Sequence, residues 1–368
     1  MSVGEFARTH LRGLSELKSA EIIVIGTGSI ARGVVFGLSH VPEVSLRVAI
    51  IGRSLANPSE IALLANARAA IAGTSVTCQP FRISHFKAAE FSKLFRSLKP
   101  KVILLAASIQ SPWEITQQDN AWTRLIANGG FGITLPLQLK LAAEVSRAAS
   151  GLQAAVVNAC YPDAVNLVLE RVGLRITCGL GNAAIIEAFC RSKVGSGKKD
   201  VRVVAHHGQV GPWLRGKSSG SQPLIWVQGR KMPARQLQPN LDAIGEELNS
   251  VTTSTAIPLL LSFLSGATLR TSIPGVSGLS GGYPFLLKQR KFSLRLPSSI
   301  ALAEAIAHNK KGERLDGLDL GTDAKFVAKA RQALHAAKFE YAQGFSYSEW
   351  PLVCQRMVSL RDRLRSAT

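Results

Sequence analysis

Two histidines stand side by side in V-V-A-H-H-G, Val203 to Gly208, where a run that reads as a strand gives way to glycine. A histidine so placed can act as a general acid or base, because its ordinary pKa lies near neutrality. It can equally be a structural residue at a strand end. A second chemical group is G-T-G-S-I-A, where Gly26, Gly28 and Ala31 keep a G-x-G-x-x-A spacing. The first glycine permits a tight turn, the second lets backbone approach a pyrophosphate, and the small third residue lets helix pack closely on strand. A helix that starts there turns free N–H groups and a partial positive charge toward an anion. The expected phosphate cradle is therefore Gly26, Thr27, Gly28, Ser29 and Ile30. A third group is Asn158, followed by Pro162 and Asp163. The Asn158 amide could hydrogen-bond a ribose or a substrate oxygen, or could form a turn.

These groups need elements to hold them. The apolar run from Ile22 to Ile25 leads directly into the glycines, and I-A-R-G-V-V-F-G-L continues with helical spacing. Apolar runs recur in S-L-R-V-A-I-I-G-R-S, S-V-T-C-Q-P-F-R-I, K-V-I-L-L-A-A-S and L-Q-A-A-V-V-N-A-C-Y-P, with helical segments between them. Strands without polar alternation, joined through helices, indicate a parallel sheet covered on both faces. The expected fold class is α/β: an N-terminal Rossmann doubly wound parallel sheet plus a C-terminal α+β domain. An N-terminal arm over 1–19 precedes the sheet domain at 20–161. The second domain, 162–368, ends in a helical extension. Its pattern includes a long helix interrupted at Pro258 and an antiparallel pair in F-L-L-K-Q-R-K-F-S-L-R-L-P.

The end of the second strand speaks to cofactor choice. An NAD site usually carries a carboxylate there for the ribose hydroxyls. This chain has Gly52, Arg53 and Ser54 instead. Arg53 can form charge-assisted bonds to a 2′-phosphate, and Ser54 adds a donor. The expected cofactor is NADP(H). Open α/β sheets bind ligands beyond the carboxyl ends of their strands, so Ala106, Ala107 and Asn158 join the cofactor-facing set.

Composition narrows the class. Hydrophobic residues make up 46% of the 368, charged residues 18%, and the net charge is +20. The basic residues are dispersed and not interleaved with aromatics, which disfavours nucleic-acid binding and suits attraction of small anions. No apolar run reaches the roughly 18 residues of a membrane span, and S-T-A-I-P-L-L-L-S-F-L-S-G-A reads as a core helix. The N-terminus lacks the apolar stretch of a secretory signal, and the five cysteines are scattered without metal-ligand spacing. A cytoplasmic protein with reduced thiols and no metal is expected.

The middle of the chain resembles the lactate/malate dehydrogenase superfamily. Asn158, Pro162 and Asp163 match its N-P-x-D motif with extra residues inserted, Gly179 and Gly181 its G-x-G, and His207–Gly208 the end of its G-E-H-G. T-T-S-T-A-I-P-L-L resembles the substrate-side helix, which puts Thr253 at a pocket-facing position. N-K-K-G-E-R-L-D-G-L-D-L-G-T-D-A-K-F-V-A-K-A-R-Q-A-L resembles the last strand pair and helix. The resemblance implies that His207 donates a proton to a carbonyl oxygen while the nicotinamide supplies hydride, and that His206 is structural. It also exposes departures. The aspartate that should orient the histidine falls on Ile185, the arginine that should clamp a carboxylate falls on Ala188, and the loop arginine falls near Ala121, with Arg124 close by. Glu187 should lie on another helical face. Arg191, Arg215 and Lys217 read as surface residues.

Together these readings predict an NADP(H)-dependent oxidoreductase that reduces a C=O or C=N bond of a specialised small molecule other than malate or lactate. His207, Asn158 and Thr253 are its candidate catalytic residues, and a homodimer or homotetramer is expected. The alternative is a catalytically inactive dinucleotide-binding sensor or assembly subunit on the same fold.

Overall fold

In the computed structural model, residues 19–42, 44–195, 199–217 and 220–366 are described. The expected arm at 1–19 therefore lies almost wholly outside them. The first half alternates strand and helix. β1 (Ile22–Ile25), α1 (Ser29–Leu38), β2 (Ser45–Gly52), α2 (Ala56–Ala72), β3 (Ser75–Arg82), α3 (Ala88–Leu98) and β4 (Val102–Leu105) lead to α4 (Ala121–Gly129) and α5 (Leu135–Ala149). Then come β5 (Ala155–Asn158), α6 (Pro162–Arg171) and β6 (Cys178–Gly179). The six strands pair in parallel in the order β3-β2-β1-β4-β5-β6, the doubly wound arrangement.

Successive residues of the central strands feed opposite faces. Ile23, Ile25, Ile103 and Leu105 join one core, whereas Ile22, Val24, Val102 and Leu104 join the other. This is why the strands read as continuous apolar runs. The sheet does not stop at residue 161, where the sequence suggested a boundary. β6 adds its sixth strand from residues 178–179.

The rest of the chain begins with α7 (Ala183–Val194), β7 (Val201–Val204), α8 (His207–Leu214), β8 (Leu224–Val227) and β9 (Arg230–Met232). Next come α9 (Leu248–Ser265), β10 (Leu269–Pro274), β11 (Gly282–Lys288), β12 (Lys291–Leu294), α10 (Leu302–Leu315), β13 (Leu318–Leu320) and β14 (Ala324–Phe326). It closes with α11 (Ala328–Ala336), β15 (Gly344–Phe345) and α12 (Trp350–Ser366). Three antiparallel sheets form, β7-β8-β9, β10-β11-β12 and β13-β14-β15.

α9 is long and apolar enough to cross a membrane, but it is a core helix here. Ala256, Leu259, Leu260 and Phe263 are buried with α1 residues in one core. Pro258 sits inside α9 without ending it, which corrects the expected interruption. The C-terminal extension is helical as expected, and Val353, Met357 and Leu360 bury it in the core shared with α5. The five cysteines are free thiols, four of them buried.

Candidate active site at the carboxyl edge of the sheet

The glycine turn lies between β1 and α1, where the sequence places it. Gly26 follows β1 at φ +124°, and a Cβ there would lie 2.5 Å from the carbonyl oxygen of Ala106. Both the conformation and the space demand glycine. Gly28 caps α1 in an extended conformation, and a Cβ on it would meet nothing within 4 Å. The protein therefore leaves its side open, as a diphosphate laid against the backbone would require. Ala106 and Ala107, half-buried at the end of β4, border the same turn. The Ser29 hydroxyl accepts a 2.7 Å hydrogen bond from Asn249 and so ties the cradle to α9.

At the end of β2, Gly52 is buried while Arg53 and Ser54 are exposed. Among the described residues the Arg53 guanidinium has no hydrogen-bond or ion-pair partner. A second arginine ends the neighbouring strand: Arg82 on β3 is in register with Gly52 and donates to Ser84 at 2.9 Å. β2, β1, β4 and β5 follow one another at about 4.8 Å per strand, so Arg53, the glycine turn and the ends of β4 and β5 lie along one edge of the sheet.

His207 lies beyond β5, as the first residue of α8. His206 is the N-cap residue of that helix, and Gln209 Oε1 accepts from the His206 N–H at 2.8 Å. The backbone N–H of His207 donates to Asp163 Oδ1 at 3.0 Å, and Asn182 donates to the other oxygen of Asp163. The missing carboxylate comes from a distant part of the chain. Asp316, the C-cap of α10, places Oδ2 2.8 Å from His207 Nδ1 and 3.4 Å from His206 Nδ1. Tyr161 donates its hydroxyl to the same oxygen at 3.1 Å.

Close backbone packing allows this convergence. A Cβ on Gly208 would lie 2.4 Å from the Gly312 carbonyl oxygen, so α8 can start against the end of α10 only with glycine there. The Gly132 N–H donates to the Asp316 carbonyl at 2.8 Å and draws in the turn that carries Phe131.

The electrostatics favour a charged pair. Burial pushes the His207 pKa down, but the charge and hydrogen bond of Asp316 outweigh it and leave it raised. Burial likewise raises the Asp316 carboxyl, yet His207 and His206 hold it well below the usual carboxylate range. Because a carboxylate only accepts, His207 Nδ1 carries the hydrogen and Nε2 is the free nitrogen. The ring is 31% exposed, so Nε2 can meet a ligand. Aromatic rings flank it: Phe131 and Tyr161 each lie 5.1 Å from the imidazole, centroid to centroid. Tyr161 reaches this place from a left-handed conformation, φ 48°, uncommon for an aromatic residue.

Two candidate residues are placed elsewhere. Asn158 is fully buried. Its Oδ1 accepts from the Cys160 N–H at 2.8 Å, and its Nδ2 donates to the Cys160 carbonyl and to Asn166. Both amide protons are used, which makes it the turn-former rather than a ligand contact. Thr253 does not face His207; its hydroxyl donates to Ser250 at 2.8 Å and its methyl packs where Gly33 of α1 has no side chain. Its neighbour Thr252 is the one that approaches Gly181.

The other charged groups behave as surface or structural residues. Glu187 is buried, pairs with Arg191 at 2.6 Å and accepts from the Ser272 N–H, away from His207. Arg124 is locked to Asp119 at 2.7 Å on the surface, and Arg215 and Lys217 are exposed. A cavity of about 360 Å³ lies behind α8, lined by Gln222, Lys231, His308 and Lys311 among others; it does not include His207.

No protein-family model and no curated protein matches the sequence. Solved structures do match the fold. Lactate dehydrogenase from Eimeria maxima, solved with NADH and oxamate, superposes with a TM-score of 0.53 at 15% identity, over 89% of this chain and 98% of that one. Malate dehydrogenase from Plasmodium falciparum, in complex with NADH, gives 0.53 at 12% identity, over 86% and 99%. Lactate dehydrogenase from Cryptosporidium parvum, complexed with lactic acid and the nicotinamide adenine dinucleotide cofactor, gives 0.50 at 13%, over 81% and 97%. The chain has the lactate/malate dehydrogenase fold along most of its length.

Proposed function

We propose that this protein is an NADP(H)-dependent oxidoreductase that reduces a C=O or C=N bond of a small molecule other than a simple 2-oxo acid. The observation that carries the reading is the His207–Asp316 pair at the carboxyl edge of a dinucleotide-type sheet. The cradle around Gly26 and Gly28 would hold the diphosphate, and Arg53, with Arg82 on the neighbouring strand, would hold a 2′-phosphate. The bound nicotinamide supplies hydride.

The chain's own residues manage the proton. Asp316 fixes the ring through Nδ1 and favours the imidazolium, and Nε2 passes its proton to the heteroatom that becomes negative or basic. After transfer, neutral His207 regains a proton from solvent through its exposed edge. Ile185 and Ala188, where the resembled family carries an aspartate and an arginine, cannot orient a carboxylate. A 2-oxo acid therefore lacks its anchor, which supports a different substrate.

The test is consumption of NADPH against a panel of ketones, aldehydes and imines, with Asp316→Asn run beside the parent protein after a check of its thermal unfolding. Turnover that needs Asp316 supports the reading. NADPH binding without turnover of any compound would instead support the sensor or assembly role.

A further inference from the structure

The charges and rings around His207 define what can bind there. Two buried carboxylates lie against it: Asp163 on its backbone N–H and Asp316 on its ring. Among the described residues, no lysine or arginine pairs with either. The partners of Asp316 are His207, His206 and Tyr161, and those of Asp163 are the His207 N–H and Asn182. A third buried carboxylate, Glu313, has Lys310 at 3.5 Å and needs no further cation. The cluster thus carries two carboxylates against at most the histidine charges. Its open side adds the half-buried ring of Phe131, which meets Tyr161 edge-on at 5.0 Å between centroids. Once His207 has given up its proton, the two carboxylates face at most the charge of His206, and carboxylates beside aromatic faces then repel an anion and attract a cation with an apolar flank.

We propose that the substrate is an imine with an apolar or aromatic substituent, reduced as its iminium ion, with Phe131 against the cationic carbon–nitrogen unit. This rests on the oxidoreductase reading above. His207 Nε2 gives its proton to the imine nitrogen, which forms the N–H bond. The carbon then gains hydride, which forms the C–H bond as the C=N π bond breaks. The imine is reduced to an amine, the nicotinamide cofactor is oxidised, and His207 is left neutral. The iminium that exists between the two transfers is the species the carboxylates stabilise, whereas a 2-oxo acid would bring a further negative charge to the same place.

The experiment compares three probes in the NADPH-loaded protein: a phenyl-substituted pyrroline, acetophenone and phenylpyruvate. Alongside them, calorimetric titration of the NADP⁺-loaded protein, at a pH above the His207 titration, compares phenylpyrrolidinium with phenylacetate. The pyrroline should be turned over with the highest kcat/KM, and phenylpyrrolidinium should bind tighter than phenylacetate. Phe131→Ala should weaken phenylpyrrolidinium binding about tenfold, between the exposed and the desolvated scale of a cation–π contact, and Phe131→Trp should restore it. Preferred turnover of acetophenone, or phenylacetate bound as tightly as phenylpyrrolidinium, overturns the inference and leaves the oxidoreductase reading standing, whereas preferred turnover of phenylpyruvate overturns the inference and also the exclusion of 2-oxo acids. No turnover of any probe, with NADPH binding intact, overturns both.

Discussion

The glycine cradle and the histidine cluster sit at the same edge of one sheet, yet they are assembled in opposite ways. The cradle is local: Gly26, Gly28 and Arg53 come from neighbouring βα turns, and backbone shape does most of the work. The cluster is remote: His207, the Tyr161–Asp163 turn and Asp316 come from three separate parts of the chain, and Asp316 stands 109 residues from the histidine it holds. The contrast shows where an active site can change. A cradle built from backbone tolerates little, because a Cβ on Gly26 strikes the Ala106 carbonyl. A side-chain dyad needs only a carboxylate oxygen at the right place, and another element can supply it. Position 185 is isoleucine, and α10 delivers the charge instead.

Three substitutions sharpen that contrast. The largest effect should come from His207→Asn, which removes the proposed proton donor and should lower kcat by about 10²–10⁴-fold, the usual range for a general acid, with NADPH binding unchanged by fluorescence titration. If kcat is retained, the cluster has no part in the chemistry. On the cradle side, Arg53→Glu should shift the ratio of NADPH to NADH affinity by about 10–100-fold toward NADH, the scale of a charged hydrogen bond lost, while kcat under saturating NADH stays near the parent value. An unaltered ratio would remove Arg53 from cofactor recognition. The smallest catalytic effect should come from Asn158→Ala. Loss of the buried Cys160 and Asn166 bonds should destabilise the fold by about 1–3 kcal/mol in denaturant unfolding, yet leave kcat within twofold. A large fall in kcat with little change in stability would return Asn158 to the ligand-contact role.

Legibility in the sequence follows the same division. The parallel sheet could be read because β1, β4 and β5 are apolar on both faces, and the cradle because its glycines are adjacent to a strand and a helix. His207 was visible from its place after an apolar strand and before Gly208. Thr253 was assigned to the pocket because it lies on α9, but adjacent helical residues point about 100° apart, and it is Thr252 that approaches Gly181. Asn158 was misplaced because an asparagine at a strand end serves a ligand or a turn equally well. Asp316 was hidden: it lies in the charged stretch K-K-G-E-R-L-D-G-L-D-L, beside Gly317, where a helix cap is the ordinary reading. Phe131 and Tyr161 carried no signal, since a ring contact across the fold leaves no local pattern.

The pairing also sets a pH window. Because the His207 pKa is raised in the folded protein, its contribution to stability is complete below the ordinary histidine range and is lost as pH rises through the folded value. Because the Asp316 carboxyl is lowered, its contribution is present above the ordinary carboxylate range and is lost as pH falls through the folded value. The pair is strongest between these limits.

The most direct measurement of the central claim is an NMR titration of the His207 imidazole in the parent protein and in Asp316→Asn. The account predicts a His207 pKa above the ordinary histidine value in the parent, falling to or below that value in the variant, with the alkaline limb of kcat/KM moving to lower pH in step. A His207 pKa that is the same in both proteins would contradict it.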